Sequence, residues 1–330
     1  MIYINSDVQL YLLIYVDDLL LTRNNSEVIQ QLLSQLQVSF SLKQLGNVSL
    51  FLGLQVNQTN QGLFLHQTHY TREILNSFCF ISCKVAITPM SLKSSQKKFN
   101  TDPYDNPTHY RQLAGSLHYL TVTRLDIAYA TNAICQHMHN PTDSDHQALK
   151  RLLRYLKGTQ NLCDPIKPGD LNVTAYSDVD WATDLANRKS ISNFCTYLDN
   201  NLISWSVKKQ SAVAKSSTEA EYHALASATS EVIWLCRLFT DFKAHQTQPT
   251  KIYCDSISGL ALANNPVFHA RIKYIEIDYH FMSDHIKNKD IDILHISSID
   301  QPTDILTKAL AADRLITLPD KLTIRCLNTI

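Results

Sequence analysis

Two adjacent carboxylates, Asp17 and Asp18, interrupt an apolar run, "YLLIYVDDLLLTRNN", that carries no other charge before Arg23. Unpaired carboxylates are costly to bury, so the two acids must lie at a solvated turn, pair with cations or hold a metal ion. The flanking letters predict two short strands joined by a turn at the acids. From these residues alone an exposed hairpin tip is favoured, and a metal-binding hairpin stays open as the alternative.

Four more carboxylates follow predicted strands or begin predicted helices. They are Asp178, Glu221, Asp255 and Asp304. Each has a purely structural explanation: Thr218 and Glu221 have capping-box spacing, Asp255 could help to start a helix, and Asp304 follows Pro302 in a predicted first turn where negative charge suits the helix dipole. Asp178 could belong to a loop. None of the four indicates a site by itself.

Together, the four acids predict a metal site. Acids at neighbouring strand ends and helix starts of one mixed sheet can converge, and converging carboxylates repel one another unless cations compensate them. Ligands that are all oxygen select a hard ion such as Mg²⁺ or Mn²⁺. Two such ions about 3.5 to 4 Å apart can activate water and stabilise the leaving oxygen of a phosphodiester.

Helix geometry separates Glu221 from Glu219, whereas strand geometry leaves Asp178 and Asp180 open. Two residues apart on a helix, the glutamates point about 200° apart, and Glu221 shares a stripe with the apolar Leu225. Residues two apart on a strand point to the same side. We therefore choose Glu221 from the pattern, while the choice between Asp178 and Asp180 stays undecided by alternation.

Composition places limits on the class of protein. With 330 residues the chain is long enough for two domains, and Lys plus Arg equal Asp plus Glu at 30 each, so no global charge indicates a nucleic-acid partner. The eight cysteines are scattered and fit reduced thiols. We predict a chain of the cytoplasm or nucleus without signal peptide or membrane contact, because the acids split the apolar run far below the ~20 residues of a span.

The sequence pattern predicts four segments and a boundary between the second and the third. Residues 1–66 alternate short strands with one helix at 26–40, residues 67–162 are helical and basic, residues 163–170 form a Pro- and Gly-containing boundary, residues 171–315 form a mixed sheet with helices, and residues 316–330 form a tail. Predicted helices are 68–78, 109–138, 144–159, 218–240, 256–264 and 302–310. The fold class is α/β (α+β).

Ordered blocks across nearly the whole chain resemble the C-terminal part of Ty1/copia-type retrotransposon Pol polyproteins, and plant members most closely. They include "YVDDLLL", "YRQLAGSLHYLTVTRLDIAYATN", "ALKRLLRYLKGT", "AYSDVDWATD", "SSTEAEYHALA", "IYCDSISGLALANNP" and "DQPTDILTKAL". The resemblance implies a partial reverse-transcriptase palm at 1–66, thumb and connection helices at 67–162, and an RNase H-like domain with a mixed five-stranded sheet and flanking helices at 171–315.

The resemblance also implies roles for the acids. Asp17 and Asp18 match the metal-binding hairpin of the polymerase; the family's first metal-binding aspartate lies upstream of the residues present, so we expect no DNA synthesis by this polypeptide alone. Asp178, Glu221, Asp255 and Asp304 match the acids that hold two Mg²⁺ (or Mn²⁺) ions in ribonuclease H, which cuts the RNA strand of RNA/DNA hybrids. This match favours Asp178 over Asp180.

Partners follow from the same resemblance. We expect an RNA/DNA hybrid as substrate and, in the parent element, other Pol segments such as integrase. Phosphate contacts are predicted for a set of basic side chains, namely Arg188, Lys189, Lys208, Lys209 and Lys215. Two family glycines are replaced, at Thr183 and Asn193. The alternative is a catalytically dead remnant that at most binds nucleic acid.

Overall fold

The computed structural model describes residues 2–5, 8–23, 26–92, 102–184, 186–264, 275–315 and 324–327. The strands are β1 Ile2–Asn5, β2 Val8–Tyr15, β3 Asp18–Arg23, β4 Leu50–Phe51, β5 Leu54–Thr59, β6 Gly62–His66, β7 Leu162–Ile166, β8 Val173–Asp180, β9 Ile191–Leu198, β10 Asn201–Lys209, β11 Thr250–Cys254, β12 Ile291–His295 and β13 Arg325–Cys326. The helices are α1 Ser26–Ser39, α2 Thr68–Ser77, α3 Pro107–Leu120, α4 Ala128–Cys135, α5 Asp143–Gly158, α6 Ser217–Asp241, α7 Ile257–Ala263, α8 Glu276–Lys287 and α9 Asp304–Thr307.

The predicted hairpin at the start of the chain is confirmed. Strand β2 pairs antiparallel with β3, and Tyr15 lies opposite Asp18, so that Val16 and Asp17 form the turn. Val16 has a φ of 49°, the left-handed conformation that such tight hairpin turns require. β1 completes this three-stranded sheet.

Helices α2 to α5 of the first half pack around one apolar core. Helix α3 begins after Asn106, whose side chain accepts from the backbone N–H of His109, and α5 begins with a capping box between Thr142 and Asp145. The predicted single helix over 109–138 is wrong, because residues 121–124 break it into α3, a short 3-10 turn at Leu125–Ile127, and α4.

That break is held by a buried ion pair. The Arg124 guanidinium donates twice to the Asp126 carboxylate, at 2.8 and 2.7 Å, and also to the backbone carbonyl of Thr159 at 2.9 Å. The Tyr155 hydroxyl donates to the same carboxylate at 2.8 Å. The pair therefore ties the break between α3 and α4 to the end of α5.

The first half of the segment predicted as a boundary, residues 163–170, lies in a strand. Leu162–Ile166 forms β7, which pairs antiparallel with β6, because this apolar stretch fills a place in a second sheet of order β13-β7-β6-β5-β4. The residues that follow, 167–172, include a proline and a glycine and form no helix or strand. Strand β13 comes from the segment predicted as a tail and pairs with β7. The four domain limits remain a prediction.

The second half contains the mixed five-stranded sheet that the sequence predicts. Its strand order is β10-β9-β8-β11-β12, with β8, β9 and β10 antiparallel and β11 parallel to both β8 and β12. Helix α6 crosses β8 and β9, and its buried Leu225 and Ala228 share a core with Ala175 and Ile252 of the sheet. The predicted fold class is confirmed.

Two helices of this half differ from expectation. Helix α8 was not predicted, although Tyr279 and Met282 of its inner face are buried in the core of the sheet. The helix predicted at 302–310 is a single turn, α9, and its Ile305 and Leu306 lie in the same core as the first half's Leu125. The sheet and the helices of residues 107–158 thus hold α9 between them.

Several predicted segments lie partly or wholly outside the described residues. They are the polar linker at 91–107, the basic linker at 265–274 and most of the tail at 316–330. All eight cysteines are described, and each is a free thiol. None of the helices within the described ranges combines the length and apolar character needed to cross a membrane.

Candidate metal centre

Three of the four predicted acids meet at one end of the mixed sheet. Asp178 lies near the end of β8, Asp255 follows the last residue of β11, and Glu221 lies in the second turn of α6. One carboxylate oxygen from each lies within 4.8 Å of the others. We call Asp178, Glu221 and Asp255 the acid triad.

The start of α6 determines which glutamate joins the triad. Ser216 caps the helix by accepting from the backbone N–H of Glu219, and the Glu219 carboxylate accepts from the backbone N–H of Lys215. The predicted capping box of Thr218 and Glu221 is therefore wrong, because the helix is capped two residues earlier, by Ser216. This register leaves the Glu221 carboxylate buried toward the sheet, as its apolar stripe predicts.

Burial and mutual repulsion both act on the triad. Burial, followed by the charge of Asp255, raises the pKa of Asp178 to about 7. Burial, followed by the charges of Asp178 and Asp255, raises the pKa of Glu221 to about 9. The Glu221 Oε2 atom is buried and makes no hydrogen bond. The site is therefore short of positive charge, and a buried acceptor lacks a donor.

These residues fit a divalent metal ion. All donor atoms are carboxylate oxygens, which Mg²⁺ and Mn²⁺ prefer, and a bound ion would compensate both the repulsion and the unpartnered Glu221 oxygen. Asp255 is already oriented, because the hydroxyl of Ser298 donates to its Oδ2 at 2.8 Å. The donor set does not identify which divalent ion binds.

The fourth predicted acid, Asp304, lies beside the triad but has different partners. Its carboxylate is almost fully buried and forms ion pairs with Lys308, at 2.6 Å, and with Arg314. Its charge contributes to the raised pKa of Asp178, so the two acids lie close together. Asp304 is not within the 4.8 Å group formed by the triad.

The structure separates the two aspartates that strand alternation leaves open. Asp178 joins the triad. The charge of Asp180 acts instead on Tyr129 of α4: burial raises the pKa of Tyr129, and the charge of Asp180 raises it further. Both side chains leave the same face of β8, as predicted, but Asp180 lies one repeat farther along the strand. Distance from Glu221 and Asp255, rather than face, distinguishes them.

The predicted phosphate-binding residues differ in their exposure and in the ion pairs that they form. Lys209 is engaged in an ion pair with Asp184 and lies 3.4 Å from the side-chain oxygen of Gln136. Arg188, Lys208 and Lys215 are exposed, and Lys189 is half-buried. The five residues lie in the loop before β9, at the end of β10 and in the segment that follows β10. Lys209 has a structural role there, because it is paired with Asp184.

The hairpin acids, Asp17 and Asp18, lie in the open. Both are exposed at the tip of the β2–β3 hairpin, next to Val16, which is 82% exposed. Within the described part of the chain, no other acid or histidine joins them in a group able to hold a metal ion.

Sequence reasoning missed three residues at the centre: Ser298, Lys308 and Arg314. The spacing of Asp304 and Lys308, four residues apart in a predicted helix, could have indicated their ion pair. Ser298 lies in a turn after β12 and Arg314 lies in a helical turn at residues 312–315, and no spacing in the sequence links either residue to the acids. At the two replaced glycines, the Thr183 hydroxyl donates to the backbone of Asp180, and the Asn193 amide is buried without a hydrogen bond.

Comparison with known proteins gives matches across most of the chain. Residues 2–92 match the family model described as "Reverse transcriptase (RNA-dependent DNA polymerase)". The retrovirus-related Pol polyproteins from transposons RE2 and RE1 of Arabidopsis thaliana are 41% and 42% identical over 92% and 91% of this chain. The chain spans 21% of the length of each of these relatives.

A solved structure of the foamy viral protease-reverse transcriptase in complex with dsDNA is also similar. It is 13% identical, with a TM-score of 0.47, and the match covers 87% of this chain and 55% of that chain.

Proposed function

Since the chain belongs to the retrovirus-related Pol polyproteins of plant retrotransposons, we propose that its second half cuts the RNA strand of RNA/DNA hybrids with divalent metal ions. The observation that carries this proposal is the acid triad, three buried or half-buried carboxylates at one end of a mixed sheet whose ligand oxygens lie within 4.8 Å of one another. Buried carboxylates in that arrangement need a metal ion to ionise together.

The chemistry follows from what each residue does. Bound Mg²⁺ or Mn²⁺ would supply a more acidic water and stabilise charge on the phosphate. The triad binds the ion through carboxylate oxygens, and Ser298 holds Asp255 in position. Burial of Asp178 and Glu221 keeps bulk water from screening these charges. Water adds across the phosphodiester bond, and the products are a 3′-hydroxyl and a 5′-phosphate.

The substrate grip is proposed for the exposed cations near β9 and β10. Arg188, Lys208 and Lys215 contact phosphates, which hold the duplex in place without reading its sequence. Lys189 stands beside them, whereas Lys209 holds Asp184 and supports the loop. Other Pol segments, such as integrase, belong to the proposed parent polyprotein.

For the polymerase part, we propose that these 330 residues do not synthesise DNA by themselves. The hairpin acids are two exposed carboxylates, and among the described residues no third acid completes a metal site with them. Incorporation of nucleotides on a primed template by the purified chain would overturn this proposal.

The decisive experiment is cleavage of a labelled RNA/DNA hybrid by purified protein in Mg²⁺ and in Mn²⁺. We expect the RNA strand to be cut and Asp255→Asn to reduce the rate at least ~10³-fold, since a metal ligand contributes several kcal/mol to transition-state stabilisation. The matched control is the Asp17→Asn, Asp18→Asn double variant, which changes the same residue type in the hairpin and should cleave as the wild type does.

A folded chain that leaves the hybrid intact would overturn the proposed hydrolysis. It would favour the second candidate, a remnant that binds nucleic acid without cutting it. Two observations are compatible with that candidate: the Asp304 carboxylate is already paired with cations, and the buried Asn193 amide lacks hydrogen-bond partners.

A further inference from the structure

Asp304 differs from the acid triad in having a cation on each carboxylate oxygen. The Lys308 ammonium lies 2.6 Å from Oδ1, and the Arg314 guanidinium bonds to Oδ2. The Asp304 side chain is only 3% exposed, whereas Lys308 and Arg314 are 51% and 39% exposed. One buried negative charge thus meets two positive charges that are themselves partly exposed.

Arg314 also connects Asp304 to the triad. Its guanidinium donates to the backbone carbonyl of Ser298 at 3.2 Å, and the Ser298 hydroxyl donates to Asp255. A continuous chain of hydrogen bonds therefore runs from Asp304 through Arg314 and Ser298 to Asp255. Both carboxylate oxygens through which Asp304 could bind a second ion are thus already paired with a cation.

We propose that Lys308 and Arg314 are built-in counter-ions of Asp304, which exclude a second divalent ion until the phosphates of a bound nucleic acid draw them away. This inference rests on the proposed function and concerns how its site is regulated. The chain alone then holds one ion at the triad. The second ion enters at Asp304 only when substrate is present.

The exchange is physically reasonable because both cations are flexible and half in water. Arginine and lysine bind phosphate oxygens as readily as carboxylate oxygens, so leaving Asp304 for a phosphate keeps their charge compensated. Asp304, once released by both cations, would be a buried carboxylate without a counter-charge, which a divalent ion then compensates. Unproductive metal occupancy is avoided when no hybrid is bound.

The first test counts bound Mn²⁺ by electron paramagnetic resonance in the absence of nucleic acid. We expect one ion for the wild type and two for the Lys308→Gln, Arg314→Gln double variant. Adding Asp304→Asn to the double variant should return the count to one. Lys287→Gln, an exposed lysine at the end of α8, is the matched control and should leave one ion. Near-ultraviolet circular dichroism confirms folding, and Lys308→Gln alone serves if the double variant unfolds.

The second test measures binding of an RNA/DNA hybrid in EDTA, where no cleavage occurs, as a function of salt. If both cations move to phosphates, the slope of log affinity against log salt should be smaller for the double variant, by about one for each cation lost. An unchanged slope would overturn the exchange, because it would mean that both cations stay on Asp304.

The outcomes separate this inference from the proposed function. Two ions on the wild type without nucleic acid, or one on the double variant, would overturn the counter-ion role and leave hydrolysis standing. No ion on the wild type, or a count unaffected by Asp255→Asn, would overturn the proposed metal-dependent function itself.

Discussion

The hairpin acids and the acid triad place the same kind of side chain in opposite surroundings. Asp17 and Asp18 project from a two-residue turn into water, with exposed apolar residues on both sides. Asp178 and Glu221 are held in the body of the mixed sheet by β8 and α6, and burial raises their pKa values. Adjacent acids in sequence are thus less informative than acids that three separate elements bring together.

The largest difference from the acid triad is expected at Asp126, a buried carboxylate that is paired with a cation. Asp126→Asn would leave the fully buried Arg124 guanidinium without its charge partner, and we expect a loss of about 3–5 kcal/mol in unfolding free energy. Asp178→Asn removes repulsion within the triad and should cost less than about 1 kcal/mol without metal. Urea unfolding at pH 7 in EDTA measures both. Equal losses would contradict the distinction between paired and unpaired buried acids.

The gain in unfolding free energy from added metal should depend on the acid triad and not on the hairpin acids. At about 100 times its dissociation constant, Mg²⁺ should raise the unfolding free energy by about 2.7 kcal/mol. Asp255→Asn should abolish this gain, whereas Asp17→Asn with Asp18→Asn should retain it. Thermal unfolding with and without Mg²⁺ tests this, and a gain that depends on the hairpin acids would reverse the comparison.

Asp164 of β7 is buried like the triad but has no second acid beside it. Burial raises its pKa to about 7, above the value of about 4 in an unfolded chain. The folded state therefore keeps a proton that the unfolded state loses, and stability falls as pH rises between these values.

Asp164→Asn should remove this dependence. Between pH 6 and 7 the wild type should lose about 1 kcal/mol more than the variant, since one pKa unit corresponds to about 1.4 kcal/mol. Urea unfolding at the two pH values gives the difference. Mg²⁺ should not alter it, and a metal-sensitive difference would mean that isolated buried acids behave as the triad does.

The smallest effect is expected at the hairpin turn. Val16 is β-branched, exposed and at positive φ, so Val16→Gly should stabilise the hairpin by about 1 kcal/mol. The matched control is Val38→Gly near the end of α1, where glycine should destabilise the helix by a few tenths of a kcal/mol. Amide hydrogen exchange of β2 and β3 measures the first. Reduced protection would show that the turn is not strained.

The elements that could be predicted were those with local patterns. Apolar periodicity and turn-forming residues predict the hairpin, α2, α5, α6 and the strands of the mixed sheet. The structure confirms these elements. Helix α8 was missed because its charged residues, such as Glu276 and Asp284, hide the buried Tyr279 and Met282. β7 was read as a boundary because its Pro165 is tolerated in a strand only through its particular pairing.

The site shows the same limit. Choosing Glu221 needed only helix geometry, although the structural alternative weighed against it, a capping box with Thr218, was misplaced by two residues. Asp178 could be preferred over Asp180 only through the resemblance, because the distinction depends on where α6 and β11 end in space. Of the two partners of Asp304, Lys308 could have been foreseen from its spacing, whereas Arg314 could not, because it reaches Asp304 from a separate helical turn at residues 312–315.

Strand β13 pairs with β7, and the backbone carbonyl of Arg325 accepts from the Cys163 thiol, across 162 residues of sequence. During synthesis the sheet formed by β4 to β7 therefore emerges long before its last strand, and its edge stays open while the entire mixed sheet is made. Closing so long a loop is slow, and an open strand edge invites pairing with other chains. Chains interrupted before this point should consequently aggregate more readily than complete ones.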